Sequence, residues 1–212
     1  MEPSKSFAAE FLAYARERLL SPKILVLAAA VAACAAIASR TQRPEISAPL
    51  AFLLVWQFRL WDDLEDLGFD RVHHPERTTV LSVVPRAFWA TAMASLFLAG
   101  LAIALASGGA QALAFAGLVA VLGGGYRLTR RFPQNRLARA HLVLAKYPAF
   151  AFLAAWEPAF QRAVPAAALL YLVLCLLEIV DDPALRGMRE ARALATAEAI
   201  AIAGIIAYGA LQ

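Results

Sequence analysis

The chain has 212 residues, of which 61% are hydrophobic and 17% charged, and its net charge is +4. Soluble domains are about 45–50% apolar and about 25% charged, so this composition excludes an ordinary soluble domain. The positive charge does not indicate a nucleic-acid partner, because the basic residues gather at alternate loops and form no continuous stripe.

A run of about 20 apolar residues spans a bilayer, and the chain has room for about seven such runs and little else. The expectation is an all-α integral membrane protein, a single membrane domain over residues 1–212 with no evident internal repeat. Residues 6–20 place Phe7, Phe11 and Tyr14 at helical spacing, followed by Arg16, Glu17 and Arg18. Residues 1–21 therefore read as an interfacial N-terminal helix. Ser21-Pro22 supplies a cap and first turn for the first span. The bundle of residues 22–211 is expected to have spans near 22–39, 47–62, 86–106, 110–127, 138–156, 163–180 and 192–211. Arg43-Pro44, Ser107-Gly108-Gly109 and Glu157-Pro158 punctuate it. Glu2, Glu10 and Glu17 argue against a cleavable signal peptide. Cys34 and Cys175 lie in apolar segments and read as small core residues.

Basic residues orient the chain. With the N-terminus in the cytoplasm, 17 of the 20 lysines and arginines fall on or near that side, and only Arg40, Arg43 and Arg162 fall on the other. This arrangement places the acidic segments 62–76 and 178–190 on one cytoplasmic face. The expected location is a bacterial inner (plasma) membrane, crossed several times.

The segment Trp61-Asp62-Asp63-Leu64-Glu65-Asp66-Leu67-Gly68-Phe69-Asp70-Arg71 continues the second span. At about 100° per residue, Asp63, Asp66 and Asp70 fall within an arc of roughly 60°. Three carboxylates on one face repel one another unless a cation joins them. Magnesium takes a few carboxylates plus phosphate oxygens. Arg59 precedes the acids by a turn, and Arg71, His73, His74 and Arg77 follow. Acids for a metal beside bases for phosphate suit a diphosphate.

A second cluster, Glu178-Ile179-Val180-Asp181-Asp182, ends an apolar span, and Glu178 and Asp182 share a helix face at four-residue spacing. Between the clusters lies Gly124-Gly125-Tyr126-Arg127-Leu128-Thr129-Arg130-Arg131. Two charges lie deeper. Intramembrane charge costs a few kcal/mol and usually faces a cavity or a partner. Lys146 is expected to do so, while Glu198 is expected to snorkel toward the cytoplasmic end of the last span.

The run DDLEDLGFDRVHHPERT resembles the first signature of the UbiA-type intramembrane prenyltransferases, N-D-x-x-D-x-x-x-D followed by R-x-x-x-P-x-R. Asp63, Asp66, Asp70, Arg71, Pro75 and Arg77 fall on it, and Asp62 stands where that family usually has Asn. Glu178 to Asp182 is similar to the family's second signature, D-x-x-x-D, with Glu for the first Asp. Tyr126 to Arg131 is similar to its tyrosine-to-Lys-Arg loop. The resemblance covers roughly residues 20–190.

It implies a UbiA-like bundle with the N-terminus in the cytoplasm, and Mg2+-dependent transfer of an isoprenyl group from a prenyl diphosphate to a hydrophobic or aromatic acceptor. Asp63, Asp66 and Asp70 would be catalytic. Asp62, Asp63, Asp66, Asp70, Glu178, Asp181 and Asp182 would hold metal. Arg59, Arg71, Arg77, Tyr126, Arg130, Arg131 and Lys146 would bind diphosphate. Family members usually have nine spans, so a chain of about seven could complete its wall with a second copy. Two other activities fit the same residues. One is a prenyl-diphosphate cyclase on the same fold. The other is a non-catalytic or transport protein that binds a divalent cation or polyprenyl phosphate.

Overall fold

The computed structural model describes residues 6–41, 43–131 and 136–210, except for the side chains of 129–131 and 208–210. Among the described residues it is helical, with no strand and one isolated bridge between Ser39 and Pro158. Its helices are α1 (Phe7–Tyr14), α2 (Pro22–Ala38), α3 (Pro44–Glu65), α4 (Leu67–His73), α5 (Thr78–Leu81), α6 (Pro85–Ser107), α7 (Gly109–Arg131), α8 (Arg136–Leu144), α9 (Lys146–Ala154), α10 (Phe160–Asp181), α11 (Pro183–Gly187) and α12 (Arg189–Ala210).

Proline and glycine set many of the ends. Pro22, Pro44, Pro85 and Pro183 open their helices, where a missing N–H costs nothing. Gly108, at φ 92°, ends α6 in backbone that a side chain would strain. Each span expected from the sequence coincides with a helix, but the fifth is broken. Pro148 has no N–H for the Leu144 carbonyl and its ring crowds that oxygen, so residues 136–154 divide into α8 and α9 at Ala145.

By length and composition, α6, α7 through Leu128, and α10 can each cross a membrane. A fourth is added if the N-terminal segment Phe7–Leu19 and α2, which meet at 68°, form one bent span. Large apolar side chains point outward on these helices, among them Phe97, Leu101 and Leu105 on α6 and Leu113 and Val121 on α7. Such faces suit lipid and would be a liability in water.

The interior is built on α2, which packs against α3, α9 and α10. Its buried residues Ile24, Ala28, Val31, Ala35 and Ala38 recur every three or four positions and form one stripe. Alanine on that stripe lets the neighbouring backbones approach. Beneath the acidic end, Phe58 meets Phe150 at 4.7 Å and Trp61 at 5.4 Å between ring centroids, joining α3 to α9. The aromatic face of α1 does not lie on lipid alone. Phe7, Phe11 and Tyr14 pack on Phe88 of α6 at centroid distances of 5.5, 6.0 and 5.7 Å.

Helix α7 passes close to α8, and a Cβ on Gly125 would lie 3.0 Å from Leu142 Cδ2. Gly125→Ala is expected to be nearly neutral, because about 1 kcal/mol of helix propensity offsets the small shift of a flexible leucine tip. Gly125→Leu is expected to cost about 1–3 kcal/mol through overpacking. Thermal unfolding in detergent compares the two. Equal melting midpoints would show that this contact does not hold α8 in place.

Candidate functional site

The acidic end of α3 carries a one-residue break. The helix ends at Glu65, Asp66 sits at φ −90° and ψ 4°, and α4 begins at Leu67. The helical ladder continues through the break, with Asp66 N–H donating to the Asp62 carbonyl and Asp70 N–H to the Asp66 carbonyl, each at 2.9 Å, so the three acids keep their helical spacing. Each carboxylate turns to a different cation, because like charges at a partly buried helix end are lowest in energy when separately neutralised.

Asp63 is buried and accepts from Tyr14 Oη at 3.0 Å, Arg18 Nη2 at 2.7 Å and Arg18 Nε at 3.1 Å. Arg59, one turn earlier on α3, lies 3.0 Å from it. Asp62 points the other way and takes the Tyr126 hydroxyl and the Lys146 ammonium. Asp66 pairs with Arg139 of α8 at 2.7 Å, and Asp70 with Arg77 at 2.5 Å. Burial, with Asp62 and Asp70 nearby, pushes the Asp66 carboxyl up from the usual carboxylate range, against the pull of Arg139.

The second motif is held in the same manner. Asp182 caps α11 by accepting from Ala184 N at 2.9 Å and meets Arg136 Nε at 3.1 Å. Asp181 meets Lys23 at 3.1 Å, and Glu178 is exposed one turn below Asp182. Two elements therefore touch both acidic motifs. Residues 18–23 do so through Arg18 to Asp63 and Lys23 to Asp181. Helix α8 does so through Arg139 to Asp66 and Arg136 to Asp182. Both motifs thus lie at one end of the bundle.

The other candidates divide. Lys146 is fully buried, with Nζ 3.4 Å from Tyr126 Oη, so its depth is explained by Asp62 and Tyr126. Arg59 and Arg77 are engaged with Asp63 and Asp70, while Arg71 is exposed. The side chains of Arg130 and Arg131 lie outside the described residues. Glu198 does not snorkel. It is 4% exposed and sits 3.0 Å from His141 Nε2, because α12 turns that face toward α10 rather than toward lipid.

Sequence reasoning assigned no site role to Tyr14, Arg18, Lys23, Arg136 and Arg139, which supply most of the carboxylates' partners. All but Tyr14 looked like ordinary positive-inside charges. Their pairing depends on which helices become neighbours, and no local spacing encodes that.

Among the described residues, no three carboxylates of the acidic motifs bring ligand oxygens within 4.8 Å of one another. The donor chemistry nevertheless suits a hard cation, since all seven candidates are carboxylates. Asp70 Oδ2 is moreover buried without a hydrogen-bond partner among the described residues.

No family model matches the chain, and no curated protein or solved structure matches it. The class comes from the fold itself. Among the described residues it is all-α, with three or four helices apolar and long enough to cross a membrane, and with interleaved acidic and basic side chains at one end.

Proposed function

We propose that the chain is a UbiA-type intramembrane prenyltransferase. It crosses the membrane about seven times and works on a prenyl diphosphate at its cytoplasmic, acidic end. The supporting observation is the interleaving of charge. Asp62, Asp63, Asp66, Asp70, Asp181 and Asp182 alternate with Arg18, Arg59, Arg77, Arg136, Arg139, Lys23 and Lys146, contributed by separate parts of the chain. A diphosphate would take over the arginines, whose planar forks suit phosphate oxygens. The freed carboxylates, Asp66 and Asp70 with Glu178 and Asp182, would hold Mg2+. When bound, the ion supplies positive charge where the leaving group becomes more negative.

The arginines supply the same stabilisation from fixed positions. The bond between the allylic carbon and the diphosphate oxygen breaks, and its electron pair leaves with pyrophosphate. The acceptor bonds to the allylic carbon and loses a proton to pyrophosphate or to a nearby carboxylate. The apolar interior below the charges keeps water from the cation.

The test is incubation of the purified chain with labelled prenyl diphosphates and a membrane extract, with and without Mg2+. Magnesium-dependent labelled product is the expected result. Lysine in place of Arg71, Arg130 and Arg131, singly, should preserve insertion while raising KM or lowering kcat. If all three turn over as wild type does, those arginines serve only to set topology.

A second reading is a non-catalytic protein that binds polyprenyl phosphate or a divalent cation. One observation favours it: the carboxylates are already neutralised and do not converge. Saturable binding of prenyl diphosphate with no product under any acceptor would select it.

A further inference from the structure

About one turn along α8 and α10 from the residues of the acidic end, three helices bring a histidine, a cysteine and a glutamate together. His141 comes from α8, Cys175 from α10 and Glu198 from α12. Their ligand atoms all lie within 4.8 Å of one another. Cys175 is fully buried, and Glu198 is nearly so.

His141 Nδ1 lies 2.9 Å from the Leu137 carbonyl. A carbonyl only accepts, so Nδ1 carries the hydrogen and Nε2 of the neutral ring presents a lone pair. That lone pair faces Glu198 Oε1 at 3.0 Å. Two acceptors at this distance require a cation. A proton would satisfy the pair, but it would leave Glu198 Oε2, which is buried and has no hydrogen-bond partner among the described residues.

We propose that His141 Nε2, Cys175 Sγ and a Glu198 carboxylate oxygen form a binding site for a divalent cation of the zinc class. Zinc takes nitrogen and oxygen ligands at about 2.0–2.2 Å and sulfur at about 2.3 Å. Tetrahedral ligands at those lengths stand roughly 3.3–3.8 Å apart, so small side-chain rotations close the site. Thiolate and imidazole select this class over Mg2+, which separates the site from the carboxylates of the acidic motifs. A thiolate, a carboxylate and a doubly charged ion sum to zero, the arrangement that a low-dielectric interior tolerates. The Leu137 carbonyl orients the ring from behind, as an outer partner does for ligating histidines. The Tyr171 hydroxyl donates to the His141 carbonyl at 3.3 Å and braces the same turn. Occupied, the site fastens the last helix to α8 and α10.

The full chain, purified in detergent and stripped with a chelator, is titrated with Co2+. The expected result is a single tight equivalent with a near-ultraviolet thiolate-to-cobalt charge-transfer band and the visible bands of a tetrahedral ion. Zn2+ should displace it, and Mg2+ should not. Cys175→Ser should remove the charge-transfer band. Glu198→Gln keeps a hydrogen bond to His141 and should lower affinity about tenfold or more. Co2+ bound without the charge-transfer band, or only at millimolar concentration, overturns the proposal on wild-type protein alone. So does a well-folded Glu198→Gln protein that binds Co2+ as tightly as wild type.

Discussion

Lys146→Met is expected to destabilise the protein by about 3–5 kcal/mol, the cost of leaving one member of a buried ion pair alone. The ammonium is fully buried on Asp62, within 3.4 Å of Tyr126 Oη and 5.3 Å from the Tyr147 ring centroid. Methionine fills similar volume, so most of the loss comes from the stranded Asp62 carboxylate and not from a cavity. Asp62→Asn should cost a comparable amount, because it strands the lysine instead. The double variant should recover most of the stability, since it removes both charges together. Thermal unfolding in detergent, followed by helical signal, measures all three. A double variant no more stable than the singles would show that volume or backbone shift, and not charge, dominates. The pair also gives a physical reason for an acid at position 62. An amide there would leave the buried Lys146 ammonium of α9 without its counter-charge.

If the chain is the prenyltransferase proposed above, Asp66→Ala and Asp70→Ala should each lower transfer by about a hundredfold or more, as loss of a charge-stabilising group at a reacting centre does. Stability should change little for Asp66, because its pair with Arg139 is about 40% exposed on both sides and such pairs contribute little. Asp63→Ala should behave differently. It releases Arg18, Tyr14 and Arg59 at once, so it should abolish turnover and also loosen residues 6–20. Limited proteolysis near Arg16 and Arg18 reads the second effect. Near wild-type transfer by Asp66→Ala or Asp70→Ala would remove that residue from the proposed site. An Asp63→Ala protein that lost turnover while keeping wild-type protease resistance would place Asp63 among the metal-holding carboxylates rather than as an anchor for residues 6–20.

Much of this was legible in the residues alone. Apolar runs punctuated by proline and glycine located the long helices, because span length and helix breaking are local properties of the chain. Lys146 stood out as a charge with nowhere to go in lipid, and it does have buried partners. The break at Ala145 was implicit in Pro148.

Only the tertiary structure decided which charges meet. Arg18 and Asp63 are 45 positions apart, and Lys23 and Asp181 are 158 apart. Helical periodicity places Asp63, Asp66 and Asp70 on an arc, but it says nothing of Arg139 on α8, whose approach draws Asp66 toward a separate partner. The same holds for His141, Cys175 and Glu198, which look unrelated in the chain and converge because α8, α10 and α12 pack together. Spacing along one helix determines which side chains share a face. Coulomb attraction and burial act between faces, and they come into play only once packing has chosen the neighbours.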